Sequence, residues 1–115
     1  MKSFKGNIEK ITSENNFYRK VLHTNKYQQL VVMNLKPFEE IGMEVHPQTS
    51  QFIKVEGGSG IAVVGGRRYI LKDGDSLIVD NNVSHNVKAG KNGLKLYTIY
   101  SPPEHKRGTK TLRKK

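Results

Sequence analysis

Four side chains in the middle of the sequence have the types and spacing to bind a divalent metal ion. Glu44 and His46 are separated by one residue, Gln51 follows five positions later, and His85 lies in a separate segment. Imidazole nitrogens together with carboxylate and amide oxygens are ligands that divalent transition metals accept. We therefore predict a metal centre at Glu44, His46, Gln51 and His85, with zinc, iron, manganese or nickel as candidate ions. The alternative is that these histidines are structural and that their spacing is accidental.

A β-structure is needed to bring these residues together. Residues i and i+2 of a strand point to the same face, so a strand at Glu44 would place the His46 side chain beside it. Pro47 then favours an extended or turning chain, and Gln51 begins the next predicted strand. In a barrel, His85 could face all three from another strand.

Short strands separated by turns dominate the pattern. One short helix is predicted at residues 7–14, and no long amphipathic helix follows it. The predicted strands are residues 17–23, 27–35, 51–56, 61–64, 67–71, 76–79, 84–88 and 94–100. The glycine-rich stretch 57–60 and the polar stretch 89–93 are predicted to end strands, whereas Gly65-Gly66 favours a two-residue hairpin. Strands at this spacing indicate an all-β sandwich or barrel.

The net charge of +10 is carried by the two ends of the chain. Residues 1–36 have seven lysines and arginines against two acids, and residues 37–105 have seven against eight. Residues 106–115 have six and no acid. We predict one structural domain, with residues 1–36 joining a barrel core at 37–105 and residues 106–115 forming a basic, flexible and irregular tail. Such a tail is a solvated end or a weak binding site for nucleic acid.

Composition excludes several functional classes. The sequence has no cysteine, which excludes disulfides, thiolate metal sites and cysteine nucleophiles. The first ten residues have no apolar run typical of a signal peptide, and no stretch has the length of a membrane-spanning helix. We therefore expect a cytoplasmic protein with no membrane contact.

The segment from Pro37 to His105 resembles a small single-domain cupin. In the first cupin motif, Glu44 and His46 stand at the two histidines, Gln51 at the glutamate, and Gly58 at the final glycine. In the second motif, Gly74 and His85 have the required separation. The sequence departs from the motifs at four positions, where Phe38, Asp80, Asn82 and Ala89 replace the usual glycine, proline, glycine and asparagine.

The resemblance extends to a subgroup described as similar to mannose-6-phosphate isomerase. The shared residues are Glu44-Val45-His46, Ser50-Gln51 and Tyr100-Ser101-Pro102-Pro103. The resemblance implies a jelly-roll β-barrel, a homodimer, and a divalent metal held by two histidines, one glutamate and one glutamine.

The function implied is metal-assisted isomerisation or oxygenation of a small polar molecule. A cupin that binds a small ligand without turnover is one alternative, because cupins host many activities. The other is an interaction protein that uses its basic tail on nucleic acid. Arg67-Arg68 is interpreted as an exposed hairpin arm, and His105 as a solvated side chain.

Overall fold

Two long antiparallel strands organise the fold and carry the other strands along their edges. A computed structural model describes residues 3–114. In chain order its elements are α1 (Ile8–Glu14), β1 (Arg19–Thr24), β2 (Gln29–Leu35), β3 (Ser50–Val64), β4 (Arg67–Lys72), β5 (Ser76–Val79), β6 (His85–Ser101) and β7 (Lys110–Thr111).

β3 and β6 pair along most of their length, from Ser50 opposite Ser101 to Val64 opposite His85. Along its first half β3 also pairs with β5, and along its second half with β4. The second half of β6 pairs with β2, which continues the sheet to β1 and then β7. Every pairing is antiparallel, and the sheet folds over itself to form the jelly-roll barrel. The predicted all-β fold with one short helix is therefore confirmed.

The strand ends predicted at residues 57–60 and 89–93 are wrong, because both stretches continue a long strand. The register of β3 against β6 shifts between Val55 and Gly57 and again between Gly58 and Gly60. Such bulges bend a strand without ending it. A Cβ on Gly58 would lie 2.1 Å from the carbonyl oxygen of Gly93. Gly58 is therefore needed where two bending backbones approach closely.

The helix predicted at residues 7–14 and the hairpin predicted at Gly65-Gly66 are both present. Asn7 is the N-cap of α1, and its side chain accepts a hydrogen bond from the Lys10 amide at 3.0 Å. Gly65 and Gly66 have φ of 55° and 81°, which is the left-handed conformation that a two-residue hairpin requires. The hairpin joins β3 to β4.

The barrel interior is lined by alternate residues of the long strands. Ile53 and Val55 of β3 and Leu94 and Leu96 of β6 are at most 1% exposed. Burial of each such side chain contributes about 1.5–3 kcal/mol. The wider core also includes Tyr18, Val31, Met33, Leu35, Ala62, Leu71, Val87, Ala89 and Tyr100.

The end of the chain is more ordered than the irregular tail that the sequence predicts. Lys110 and Thr111 form β7, which pairs with Lys20 and Arg19 of β1. β1 lies next to the edge of the sheet, where unpaired backbone groups need partners, and β7 supplies them. Residues 110–111 therefore belong to the barrel sheet.

Within residues 3–114 the structure contains no helix that is long and apolar enough to cross a membrane.

Candidate metal centre

The backbone of β6 places His85 directly beside Glu44. The Glu44 amide donates to the His85 carbonyl at 2.8 Å, and the His85 amide donates to the Glu44 carbonyl at 2.9 Å. This pair is an isolated bridge, so the strand predicted around Glu44 is reduced to a single pairing. The bridge is sufficient, because residues paired directly across two strands extend their side chains to the same face.

The carboxylate and the two imidazoles converge. The Glu44 Oε1 atom lies 3.6 Å from Nε2 of His46 and 4.0 Å from Nε2 of His85. One ligand atom from each of the three residues lies within 4.8 Å of the others. His46 and His85 are 7% and 4% exposed, and Glu44 is half-buried. Three of the four predicted ligands therefore form a cluster that could bind a metal ion.

The free atoms of this cluster fit a metal ion. Nδ1 of His85 lies 2.9 Å from the Val83 carbonyl oxygen. A carbonyl can only accept a hydrogen bond, so Nδ1 carries a proton, and in the neutral tautomer Nε2 has the lone pair that a metal ligand needs. Nε2 of His85 and Nε2 of His46 are both buried without a hydrogen-bond partner. Buried polar atoms are rarely left unpaired, and a cation between them would satisfy both.

Gln51 has the same unusual feature on an adjacent strand. Its side-chain nitrogen donates to the Thr98 hydroxyl at 3.0 Å, whereas its Oε1 atom is buried without a partner. Gln51 pairs across the sheet with Tyr100, whose ring meets the His46 ring edge-on at a centroid distance of 5.9 Å. Gln51 of β3 thus lies opposite Tyr100 of β6, which packs against His46, and the Oε1 atom of Gln51 is free.

The prediction of a solvated His105 is wrong, and sequence reasoning also missed the role of the segment around it. Glu104 Oε2 lies 3.4 Å from Nδ1 of His46, on the side of the imidazole away from Glu44. The His105 ring packs edge-on against Tyr100 at 5.0 Å, and its Nε2 atom is buried. No short motif announced this contact, because Glu104 and His46 are far apart in sequence.

A buried glutamine of β2 holds this segment in place. The Gln29 side chain is fully buried, and its oxygen accepts hydrogen bonds from the amides of Glu104 and His105 at 3.2 and 2.9 Å. Its nitrogen donates to the His105 carbonyl at 2.7 Å and to the Thr24 hydroxyl at 3.0 Å. Gln29 therefore positions Glu104 beside His46 of the Glu/His/His cluster.

The protonation of the neighbouring side chains follows from their burial. Desolvation, assisted by the positive charge of Arg19, lowers the pKa of His105 to about 4, so its imidazole is neutral at neutral pH. Desolvation also raises the pKa of Tyr100, which keeps its hydroxyl protonated. Both groups are uncharged around the cluster.

Gln29→Met should release the Glu104–His105 segment, because methionine keeps the length of the side chain but makes none of its hydrogen bonds. We expect a loss of about 1–3 kcal/mol of unfolding free energy. Amide hydrogen exchange at Glu104 and His105 should accelerate by about tenfold or more. Gln28→Met at the exposed neighbouring position is the control. Equal exchange rates in the two variants would contradict a positioning role for Gln29.

Two departures from the cupin motifs occupy the backbone conformation that glycine favours. Phe38 and Asn82 have φ of 63° and 65°. The Asn82 amide donates to the His46 carbonyl at 2.8 Å, so this turn anchors the loop that carries His46. Asparagine adopts positive φ readily, whereas the left-handed conformation costs Phe38 about 1–2 kcal/mol.

Arg67 and Arg68 are exposed on the hairpin, as predicted.

Comparisons with known proteins agree with this architecture. The cupin-domain family profile matches residues 31–100. Uncharacterized protein L612 of Acanthamoeba polyphaga mimivirus is 38% identical over 94% of this chain and 71% of its own length. Uncharacterized protein YrkC of Bacillus subtilis (strain 168) is 39% identical over 94% of this chain, which spans 62% of YrkC.

A solved structure is similar over almost the whole chain. The crystal structure of BH2720 from Bacillus halodurans has a TM-score of 0.92 and 35% identity, and it covers 96% of this chain and 89% of its own. The matching profile spans the loop that carries His46 and the strands that carry Gln51 and Tyr100, and the relatives extend the similarity over 94% of the chain. With the barrel and the Glu/His/His cluster already described, these matches show that the chain belongs to the cupin-domain family.

Proposed function

We propose that this cupin binds one divalent metal ion through Glu44, His46 and His85, with Gln51 as the fourth ligand. In this proposal it acts on a small polar molecule by metal-assisted isomerisation or oxygenation. The observation that carries the proposal is the pair of buried, unpartnered Nε2 atoms facing the Glu44 carboxylate. The unpartnered Oε1 atom of Gln51 supports the fourth position.

Each residue of the centre has a definable task. A bound divalent ion supplies a Lewis acid that polarises a carbonyl or hydroxyl oxygen of the substrate. Glu44 contributes the negative charge, and the two imidazoles contribute neutral nitrogen donors. The Val83 carbonyl orients the His85 ring through Nδ1, and Glu104 lies beside Nδ1 of His46. The Tyr100 ring packs edge-on against the His46 ring and helps to fix its orientation.

The charge of Glu44 is tested by Glu44→Gln, which preserves the shape and one oxygen donor. Because the site then has no anionic ligand, we expect metal affinity to fall by about tenfold or more, or roughly 1.4 kcal/mol. Glu44→His should retain the metal, since it restores the usual cupin histidine pair. The measurement is competition with a chromophoric chelator, with Glu14→Gln on the exposed side of α1 as the control. Wild-type affinity in Glu44→Gln would remove Glu44 from the ligand set.

A cupin that binds a small ligand without turnover uses the same centre, and turnover assays separate the two functions. Aldoses and their phosphates test isomerisation, and oxygen uptake tests oxygenation. Metal-dependent binding of a small molecule without product would favour the binding protein. A homodimer, a cytoplasmic location and similarity to mannose-6-phosphate isomerase stay predictions.

The exposed cations of the tail favour a second candidate function, weak binding of nucleic acid. Lys106, Arg107 and Arg113 are exposed. Replacing all three by glutamine should weaken binding to duplex DNA at low salt. The slope of log K against log salt concentration should change by up to about 2.7. The control replaces three exposed N-terminal lysines, Lys5, Lys10 and Lys26, by glutamine. Equal losses in both triple variants would mean that net charge alone drives binding.

A further inference from the structure

A cation on the inner face of β1 has no counterion in the described chain. Arg19 pairs across the sheet with Met33, which is fully buried and faces the barrel interior. Residues paired across two strands share a face, so the Arg19 side chain extends toward the interior side of the sheet. Arg19 and Glu44 line the same pocket, which places Arg19 at the same end of the barrel as the candidate metal centre.

The Arg19 guanidinium is only partly satisfied. Its Nε atom is buried without a hydrogen-bond partner. Among residues 3–114, no carboxylate lies within salt-bridge distance of it. The guanidinium lies over the Tyr18 ring, with its central carbon 5.2 Å from the ring centroid, which stabilises the cation. Buried donors in proteins usually have a hydrogen-bond partner, so the Nε–H group of Arg19 is available to a ligand.

An open pocket of about 280 Å³ lies between Arg19 and Glu44. It is lined by Tyr18, Arg19, Ile41, Glu44, Thr111 and Lys114. Glu44 is the residue that the pocket shares with the Glu/His/His cluster. Lys114 supplies a second cation, and it is held in place by a hydrogen bond from its Nζ atom to the Glu40 carbonyl oxygen. Pairing of β7 with β1 brings this end of the chain to the pocket.

The pocket is therefore lined by two cations and by the carboxylate of a proposed metal ligand. A guanidinium binds carboxylates and phosphates through two parallel hydrogen bonds, which is the geometry that a compact oxoanion offers. The volume lies just below the usual range of about 300–1,000 Å³ for small-molecule pockets, so the ligand must be small. The Glu44 charge directs the anionic end of a ligand toward Arg19.

We propose that Arg19, assisted by Lys114, is an oxoanion-binding subsite beside the metal centre. The ligand is then a small molecule with a carboxylate or phosphate group at Arg19 and a polar oxygen toward Glu44, His46 and His85. The subsite itself stands on the pocket and the unpaired cation. Only the placement of the other end of the ligand rests on the proposed metal function.

The test is binding of inorganic phosphate and of acetate, measured by titration calorimetry at an ionic strength held constant with sodium chloride. Arg19→Gln should raise the dissociation constant by about tenfold, or roughly 1.4 kcal/mol. Arg19→Lys keeps the charge without the planar fork and should give an intermediate value. Arg68→Gln, on the exposed hairpin, is the matched control and should leave binding unchanged. Lys114→Gln, at an exposed position where folding is not at risk, should cause a smaller loss.

Three outcomes would overturn the subsite. In the first, Arg19→Gln binds phosphate and acetate as tightly as wild type does. In the second, Arg68→Gln loses as much affinity as Arg19→Gln. In the third, wild type shows no saturable binding of either anion at millimolar concentrations. Tighter binding of phosphate would identify a phosphorylated ligand, and tighter binding of acetate would identify a carboxylate. The same titrations on protein stripped with a chelator separate the two proposals. Anion binding by the stripped protein that depends on Arg19 supports the subsite, even if the Glu44 variants were to disprove the metal centre.

Discussion

Replacing His85 by alanine is expected to reduce the metal content from one ion per chain to nearly none. His85 supplies one of only two imidazoles in the cluster, and its side chain is held in one orientation by the Val83 carbonyl. Loss of this ligand should weaken metal binding by about a hundredfold or more, or roughly 2.8 kcal/mol. Elemental analysis of protein purified without a metal-chelating column gives the content, and chelator competition gives the affinity. His46→Ala should have the same effect.

The control for this experiment is His23→Ala. His23 lies in β1 and packs against Phe4 at a ring-centroid distance of 6.3 Å, outside the Glu/His/His cluster. The His23→Ala variant should therefore keep about one metal ion per chain. Circular dichroism should show the same strand content in all variants, because the barrel core supplies most of the stability. Full metal occupancy in both His46→Ala and His85→Ala would show that the centre is elsewhere.

Gly58→Ala is expected to cause the largest loss of stability of any conservative change in the barrel. The new Cβ would lie 2.1 Å from the Gly93 carbonyl oxygen and 3.2 Å from the Leu94 Cα atom. These are backbone atoms of a paired strand and cannot rotate away. The position also has a φ of +77°, which adds about 1–2 kcal/mol for any L side chain. We expect a loss of about 4 kcal/mol or more of unfolding free energy, measured by urea denaturation.

Two other glycines separate the contributions to this effect. Gly66 has a φ of +81°, but no atom lies within 4 Å of the position that a Cβ would occupy there. Gly66→Ala should therefore lose only the conformational part, about 1–2 kcal/mol. Gly57 has neither a positive φ nor a contact closer than 3.8 Å, so Gly57→Ala should be nearly neutral. Similar losses in Gly58→Ala and Gly66→Ala would mean that β3 and β6 can separate at the bend.

The features that the sequence determined are those set by neighbouring residues. Asn7 caps the helix and Gly65-Gly66 closes the hairpin because each acts on the backbone within a few positions. The spacing of Glu44 and His46 predicted that the two side chains lie close together, although His46 lies in a loop and not in a strand, and the cupin motifs added His85 and the barrel. The all-β class and the Glu/His/His cluster could therefore be predicted from the amino-acid sequence alone.

The features that only the tertiary structure decided depend on contacts between distant residues. Gly58 was predicted to end a strand, because glycine ends strands when no second backbone approaches it. Here it passes the Gly93 carbonyl, and β3 continues. The positions of Glu104 and His105 depend on Gln29, more than seventy residues away. The pocket beside Glu44 requires β7 to pair with β1, which brings Lys114 near Arg19. Local patterns contain no information about these approaches, because each exists only once the barrel has closed.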